Sequence, residues 1–255
     1  MPKFKIINSE VVNLYKKDSF KSEVISQGLI WENVEILNDY GNWCKICQWD
    51  GYISYIHKNF LINPDVYINY NLSSDTKWYY VNKRIIKINE INNKNYKLIS
   101  FGSIIPIIKK NNKIFITIMP DENKYYITSS SLINYTKKVN FNNIIKYALG
   151  NLGCPYFWGG KSGFGYDCSG FVQSLYRFHK IKLPRDTKDQ IKSHNLTKVL
   201  LDYKKGDLIY FHENNIVNHV GMFIDNTQYI HSCGNVKINS ISNKQDTYDD
   251  RLFTN

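Results

Sequence analysis

Along the first 136 residues the apolar positions come in short bursts and not in long periodic faces. Val34-Glu35-Ile36-Leu37, Cys44-Lys45-Ile46-Cys47 and Gly51-Tyr52-Ile53-Ser54-Tyr55-Ile56 are rich in β-branched and aromatic residues, with turn formers at Asn38-Asp39 and Asp50-Gly51 between them. These runs predict the short strands of a small barrel. After Asn63-Pro64 a second set follows, with Trp78 to Val81, Ile104 to Ile108, Ile114 to Ile118 and Tyr125 to Ile127 as strand candidates, and it reads as a diverged copy of the first. Beyond Lys137-Lys138 the period lengthens. Ile144, Ile145, Ala148 and Leu149 fall at helical spacing, and Asp167 to Phe178 repeats the pattern with Phe171, Val172, Leu175 and Tyr176 on one side. From Gly206 strands return at Asp207 to Phe211, Val217 to Ile224 and Gln228 to Cys233, with a turn at Asp225-Asn226. Helices followed by an antiparallel sheet predict an α+β domain.

Composition narrows the picture further. The chain of 255 residues has room for one large domain or two to three small ones. It holds no apolar run of about 20 residues, so no bilayer span is predicted. Its start never builds the apolar stretch of a secretion signal, so the mature chain is expected to begin near Met1 and to work in the cytoplasm. Lysine and arginine number 33 against 22 acids, a formal +11, yet the lysines are scattered among Asn, Ile and Tyr. Without a compact basic cluster, nucleic acid is not an expected partner, nor is a membrane, and a monomer is expected. Five cysteines without a secretion signal predict reduced thiols. Cys44 and Cys47 have C-x-x-C spacing, but no second pair follows and strand positions i and i+3 face opposite ways, so neither a metal nor a cofactor is expected.

The reactive chemistry concentrates late in the chain. Cys168 stands where the second helix begins, with Asp167 as a candidate N-cap. A thiol there feels the positive end of the helix dipole, which favours the thiolate and a pKa below about 8.5. The competing reading is a small, inert core cysteine. A nucleophile needs a base. In Asn218-His219-Val220-Gly221-Met222 the apolar residues take the even positions, so His219 and Gly221 share the opposite face; His231, beside Ile230, follows the same rule. If the two strands form a hairpin, the imidazoles lie opposite or one step apart, as a base and the group that orients it would. The alternative is two polar residues on a solvated sheet face. A metal site from Cys168, His219 and His231 is sterically possible, but the helix start preceding it is better explained by thiolate activation. His57, His179, His194 and His212 read as surface residues.

Taken in order, Gly153-Cys154-Pro155-Tyr156-Phe157-Trp158-Gly159-Gly160, Asp167-Cys168-Ser169-Gly170, Leu183-Pro184-Arg185-Asp186-Thr187, Gly206-Asp207-Leu208, His219-Val220-Gly221 and Ile230-His231-Ser232 resemble the NlpC/P60 cysteine peptidases over about residues 141 to 241. The resemblance implies a papain-like α+β catalytic domain acting on bacterial peptidoglycan peptides, with Cys168 as nucleophile, His219 as base, His231 as the orienting residue and Tyr156 beside the nucleophile, helping to hold the oxyanion. The N-terminal half resembles two bacterial SH3 repeats, most clearly at Gly51 to Ile56, where Ser54 stands in place of the usual glycine. The implied layout is an SH3-like domain over 1–62, a diverged second one over 63–136, and the peptidase domain over 137–255.

That combination resembles the γ-D-glutamyl-L-diamino acid endopeptidases, which act on soluble peptides with a free N-terminal L-alanine. The resemblance implies a hydrolase of murein peptide recycling or cell-wall degradation, with Asp167, Ser169, Arg185, Asp186 and Thr187 lining the substrate site. Glu23 and Tyr52 are the positional matches for an acid and a tyrosine from the first SH3 domain. A carboxylate beside the nucleophile would pair with a substrate ammonium. For Asp167 the plain alternative is a helix cap, for Arg185 a solvated charge, and for Trp158 core packing instead of substrate contact. A broader hydrolase of intact peptidoglycan and a non-catalytic peptidoglycan-binding protein are the competing functions.

Overall fold

The computed structural model describes residues 3–65, 72, 76–200 and 202–249, and the chain divides into two compact units, Met1–Lys138 and Val139–Asn255. The fold is mostly β with few helices. In the first unit the alternating pattern yields β1 (Lys3–Ile7), β2 (Val11–Tyr15), β3 (Val24–Leu29), β4 (Asn33–Tyr40), β5 (Trp43–Cys47), β6 (Ile53–His57) and β7 (Leu61–Ile62). They form one sheet in the order β3-β2-β6-β5-β4-β1-β7.

The second module repeats this plan. Its strands are β8 (Lys77–Val81), β9 (Ile85–Glu90), β10 (Tyr96–Ser100), β11 (Ile104–Asn111), β12 (Ile114–Ile118), β13 (Lys124–Thr128) and β14 (Leu132–Asn134). Their order, β10-β9-β13-β12-β11-β8-β14, is that of the first sheet strand for strand. A 3-10 turn precedes the last strand in both, Lys58–Phe60 and Ser129–Ser131. The repetition visible as bursts of β-branched residues is thus a repetition of topology. Ile6, Ile30 and Trp31 join the second module's core, and Lys97 bonds Glu10 at 2.7 Å, so the two modules share apolar and polar contacts.

One predicted turn is corrected. Asn38 and Asp39 lie inside β4, paired with Lys45 and Cys44, and the hairpin reverses at Gly41, whose φ of +60° suits a residue without a Cβ. A bulge between Ile36 and Asn38 keeps the ladder in register despite the extra residue.

Among the described residues the second unit carries three α-helices, α1 (Ile144–Leu149), α2 (Cys168–Phe178) and α3 (Thr187–Gln190). A two-stranded ribbon, β15 (Lys161–Ser162) and β16 (Gly165–Tyr166), precedes α2. The strands β17 (Leu208–Glu213), β18 (Ile216–Phe223), β19 (Gln228–Cys233) and β20 (Asn235–Ser240) form an antiparallel sheet in chain order. Buried Phe171, Val172, Leu175 and Phe178 put the apolar side of α2 in the core, and the helix packs on β18 and β19. β19 is enclosed on both faces: Tyr229, Ile230, His231 and Ser232 are all fully buried. His179 is a second correction. It is buried at the end of α2 among Phe141, Tyr147 and Phe178, where its ring serves as an aromatic packing piece. Among the described residues no helix is long and apolar enough to cross a membrane.

Candidate active site

Asp167 begins α2 from an extended conformation, and its Oδ1 accepts the Gly170 N–H at 2.7 Å, which satisfies one of the helix's open donors and places Cys168 at the first helical position. Gly170 is required at that point, because a Cβ there would lie 2.1 Å from the Gly160 carbonyl oxygen. The loop before the helix is tied to the sheet twice: Ser232 Oγ donates to the Tyr166 carbonyl at 2.7 Å, and Tyr156 N–H to that of Gly234 at 2.9 Å.

Asp167 does more than cap. Oδ1 also accepts from Ser169 Oγ (3.2 Å) and Arg185 Nη1 (3.0 Å), while Oδ2 accepts from Arg185 Nη2 (2.5 Å) and Gly159 N–H (3.0 Å). Arg185 also donates to Ser169 Oγ at 2.8 Å. Arg185 is only 2% exposed, so the solvated charge considered from sequence is in fact half of a buried bidentate ion pair. The same bonds take up the carboxylate of Asp167. An incoming ammonium would have to displace the guanidinium.

The β18–β19 hairpin sets Gly221 opposite His231, so His219 and His231 are one step apart on the same face. A Cβ on Gly221 would lie 2.8 Å from the Tyr229 ring and 3.3 Å from the His231 Cβ, so the strand is packed closely at this point. His219 Nε2 lies 2.6 Å from His231 Nδ1, and His231 Nε2 lies 2.8 Å from Asn239 Oδ1. Asn239, on β20, donates from Nδ2 to the Thr247 carbonyl at 3.0 Å. Sequence reading passed over this residue because it passed over β20. The alternation of Val236 and Ile238 after Gly234 was the signal for that strand.

Cys168 is buried at 8% exposure, with the backbone N–H groups of Val220 and Ser169 acting on its sulfur. Burial, then the charge of Asp167, pushes the thiol up to about 11, against the weaker pull of those two N–H groups. The expected thiolate at rest is therefore corrected: desolvation outweighs the helix dipole. Burial acts oppositely on the bases, lowering His219 to about 3 and His231 to about 4. Burial thus favours the neutral form of the thiol at the start of α2 and of both imidazoles. Tyr156 is held up to about 12 by burial and by Cys168 and Asp167 in turn, so its hydroxyl keeps its proton and remains a donor.

The other predicted positions fall in several settings. Thr187 Oγ1 donates to the Val217 carbonyl at 3.3 Å, next to the His219 strand, and Asp186 is the half-buried N-cap position of α3. Trp158 is 62% exposed, which sets aside core packing. In the first β-module Glu23 pairs with Lys16 at 2.9 Å, and the Tyr52 N–H donates to Asp50 Oδ1 at 3.0 Å.

A search of known families matches residues 153–254 to the NlpC/P60 family. This segment is an NlpC/P60 domain. The chain is similar to a gamma-D-glutamyl-L-lysine dipeptidyl-peptidase of Bacillus subtilis (strain 168), 34% identical over 137 residues, which is 52% of this chain and 46% of that one. It is also similar to a protein of the same description from Bacillus cereus (strain ATCC 10987 / NRS 248), 27% identical over 230 residues, covering 81% of this chain and 66% of that one. The chain thus spans between about half and two thirds of these relatives' lengths. A crystal structure of an NlpC/P60 family protein from Bacillus cereus ATCC 10987 superposes with a TM-score of 0.82 at 20% identity, covering 94% of this chain and 95% of that one, so the NlpC/P60 domain and the β-modules before it share that fold.

Proposed function

We propose that the protein is a cysteine endopeptidase that hydrolyses the bond between γ-D-glutamate and a diamino acid in peptidoglycan-derived peptides with a free N-terminal L-alanine. The observation that carries this reading is the assembly of Cys168 at the start of α2 beside the strand bearing His219, with His219 bonded to His231. The relatives named as gamma-D-glutamyl-L-lysine dipeptidyl-peptidases support the bond type. In this reading the domain is papain-like, and the two β-modules are SH3-like.

Because the thiol rests protonated, attack and deprotonation are coupled. As Sγ bonds to the substrate carbonyl carbon, its proton passes to His219, and the carbonyl π-electrons move to oxygen. The Tyr156 hydroxyl and the N–H groups at the helix start are the donors for that oxyanion. Collapse expels the diamino acid's amine, which takes the proton from His219 and leaves a thioester. Water, deprotonated by the same ring, then releases the acid and restores the thiol. With Asp167 engaged by Arg185, Asp186 is the carboxylate we assign to the substrate's ammonium in this domain, beside Ser169 and Thr187. Glu23 and Tyr52 stay in the reading as further contacts that rest on sequence alone.

Mass spectrometry after incubation with L-Ala-γ-D-Glu-L-Lys, its N-acetylated form and whole sacculi tests the proposal. Scission of the free tripeptide at the Glu–Lys bond is expected, with loss of more than about a thousandfold in the folded Cys168→Ala variant. Turnover by that variant would overturn the cysteine mechanism. Equal turnover of the acetylated peptide would overturn the free-amine specificity, and preferential release from sacculi would favour the broader wall hydrolase.

A further inference from the structure

The two imidazoles can share their protons in two registers, and only one is useful. If His219 carries its proton on Nε2, the bare Nδ1 can take a proton from the thiol. If it carries the proton on Nδ1, a donor faces a donor and no transfer is possible. The hydrogen-bond chain behind the rings decides between them.

The Thr247 carbonyl can only accept, so the end of the Asn239 amide facing it at 3.0 Å is Nδ2. Oδ1 is thereby turned to His231 Nε2, 2.8 Å away, and an amide oxygen also only accepts. His231 Nε2 must carry the hydrogen. In a neutral imidazole the other nitrogen, Nδ1, is then bare, so the 2.6 Å contact is a bond donated by His219 Nε2–H. That leaves Nδ1 of His219 without a proton. It is the ring nitrogen nearer the strand's own backbone, where the Val220 N–H reaches the Cys168 sulfur. Reversing the amide would reverse every bond in the series and would set Oδ1 against the Thr247 carbonyl, two acceptors in contact. His231 is fully buried and Asn239 is 6% exposed, so water offers little substitute for either bond.

We propose that Asn239, anchored on the Thr247 carbonyl, is a positioning residue that fixes the proton register of the His219–His231 pair so that an unprotonated nitrogen is presented to Cys168. This rests on the peptidase reading for its kinetic consequence, but its structural content concerns the resting protein and can be read without substrate.

Long-range 15N–1H correlation spectra of the imidazoles in the wild-type protein at neutral pH should show both rings as the Nε2–H tautomer. His231 as the Nδ1–H tautomer would overturn the proposal, with no variant needed. In Asn239→Leu, which removes the acceptor, His231 should show mixed tautomers, and kcat should fall on the order of 100-fold with KM within about twofold. Asn239→Asp keeps an acceptor oxygen toward His231 but sets its second oxygen against the Thr247 carbonyl, so it should hold the Nε2–H tautomer while recovering only part of kcat. An unchanged tautomer in folded Asn239→Leu, or an unchanged kcat in that variant, would reduce Asn239 to a packing residue. Failure of the peptidase reading shows up elsewhere: the wild type would then leave the tripeptide uncut, or Cys168→Ala would still turn it over, whatever the tautomers are.

Discussion

Two buried polar clusters, one in each unit, are built from similar parts and end differently. In the first β-module Gln48 Nε2 donates to the Gln27 carbonyl (3.1 Å) and to Glu32 Oε1 (3.0 Å), its Oε1 accepts from Ser26 (3.0 Å), and Glu32 Oε2 accepts the Leu29 N–H (3.3 Å). The network closes on strand backbone and on itself. In the NlpC/P60 domain the bonds of Asp167, Arg185 and Ser169 close in the same way around the start of α2, but a second series, Thr247 to Asn239 to His231 to His219, ends on the strand whose Val220 N–H reaches the thiol. Burial of polar side chains is therefore not what marks the site. Both units contain it. The mark is a series of donors and acceptors whose last member has a lone pair to spare.

The comparison is broken most severely through the ion pair. Replacing Arg185 by Leu leaves the Asp167 carboxylate enclosed without its cation, and loss of one partner from such a pair costs about 3–5 kcal/mol. Gln48→Leu removes an uncharged side chain, including its bond to the Glu32 carboxylate, and leaves acceptors that cost about 1–3 kcal/mol. Urea denaturation should rank the two in that order. Kinetics should separate them as well: Gln48→Leu should keep kcat, whereas Arg185→Leu should lose activity along with the helix start that presents Cys168. Equal stability losses, or loss of kcat in Gln48→Leu, would contradict the division of labour between the clusters.

The same contrast explains what could be read from the sequence alone. The N-cap Asp167, the helix behind Cys168 and the one-step offset of His219 and His231 are local consequences of spacing, so they were legible. The bidentate role of Arg185 depends on a carboxylate 18 positions away, and the orientation of His231 depends on Asn239 across a strand pair. No local period encodes such contacts. Gly41 reverses the β4–β5 hairpin in place of Asn38-Asp39 because a positive φ outweighs the ordinary turn preference of Asn and Asp. His179 illustrates the opposite failure: a polar residue at a helix end was read as surface, although Phe141 and Tyr147 close over it. The thiolate expectation failed because the dipole at a helix start is a sequence-level signal, whereas desolvation is known only once the sheet is in place.

A smaller effect separates the imidazole series from the cluster of the first module. Burial first of all holds His219 at about 3 and His231 at about 4, below the ordinary 6.5. Lys237 adds to the lowering in both, while His231 also lowers His219, and Asn239 and Asp249 oppose it in His231. Above about pH 6.5 the rings are neutral in folded and unfolded chains alike, and their contribution to stability is complete. As pH falls below 6.5 the unfolded chain binds protons that the folded one refuses, so stability is lost down to the folded values. Each ring can contribute at most about 1.4 kcal/mol per pH unit to that slope. Melting curves from pH 7 to pH 4.5 should therefore fall more gently in His219→Gln/His231→Gln than in the wild type. Parallel pH dependences would mean that both rings titrate near their ordinary 6.5 in the folded protein, so that burial does not hold them down.

The least effect is expected at Trp158. Its position two residues after Tyr156 suits core packing as well as it suits a substrate wall, but its 62% exposure leaves little apolar surface to lose on truncation. Trp158→Ala should shift stability by no more than about 0.5 kcal/mol, as for exposed sites in general. Any consequence should appear instead as a KM raised a few-fold at constant kcat, because an exposed ring beside Gly159, whose N–H is bonded to Asp167, can add apolar contact to a bound peptide without touching the proton path. A large fall in stability would mean that the indole packs in solution. A fall in kcat would extend the reactive network to Trp158.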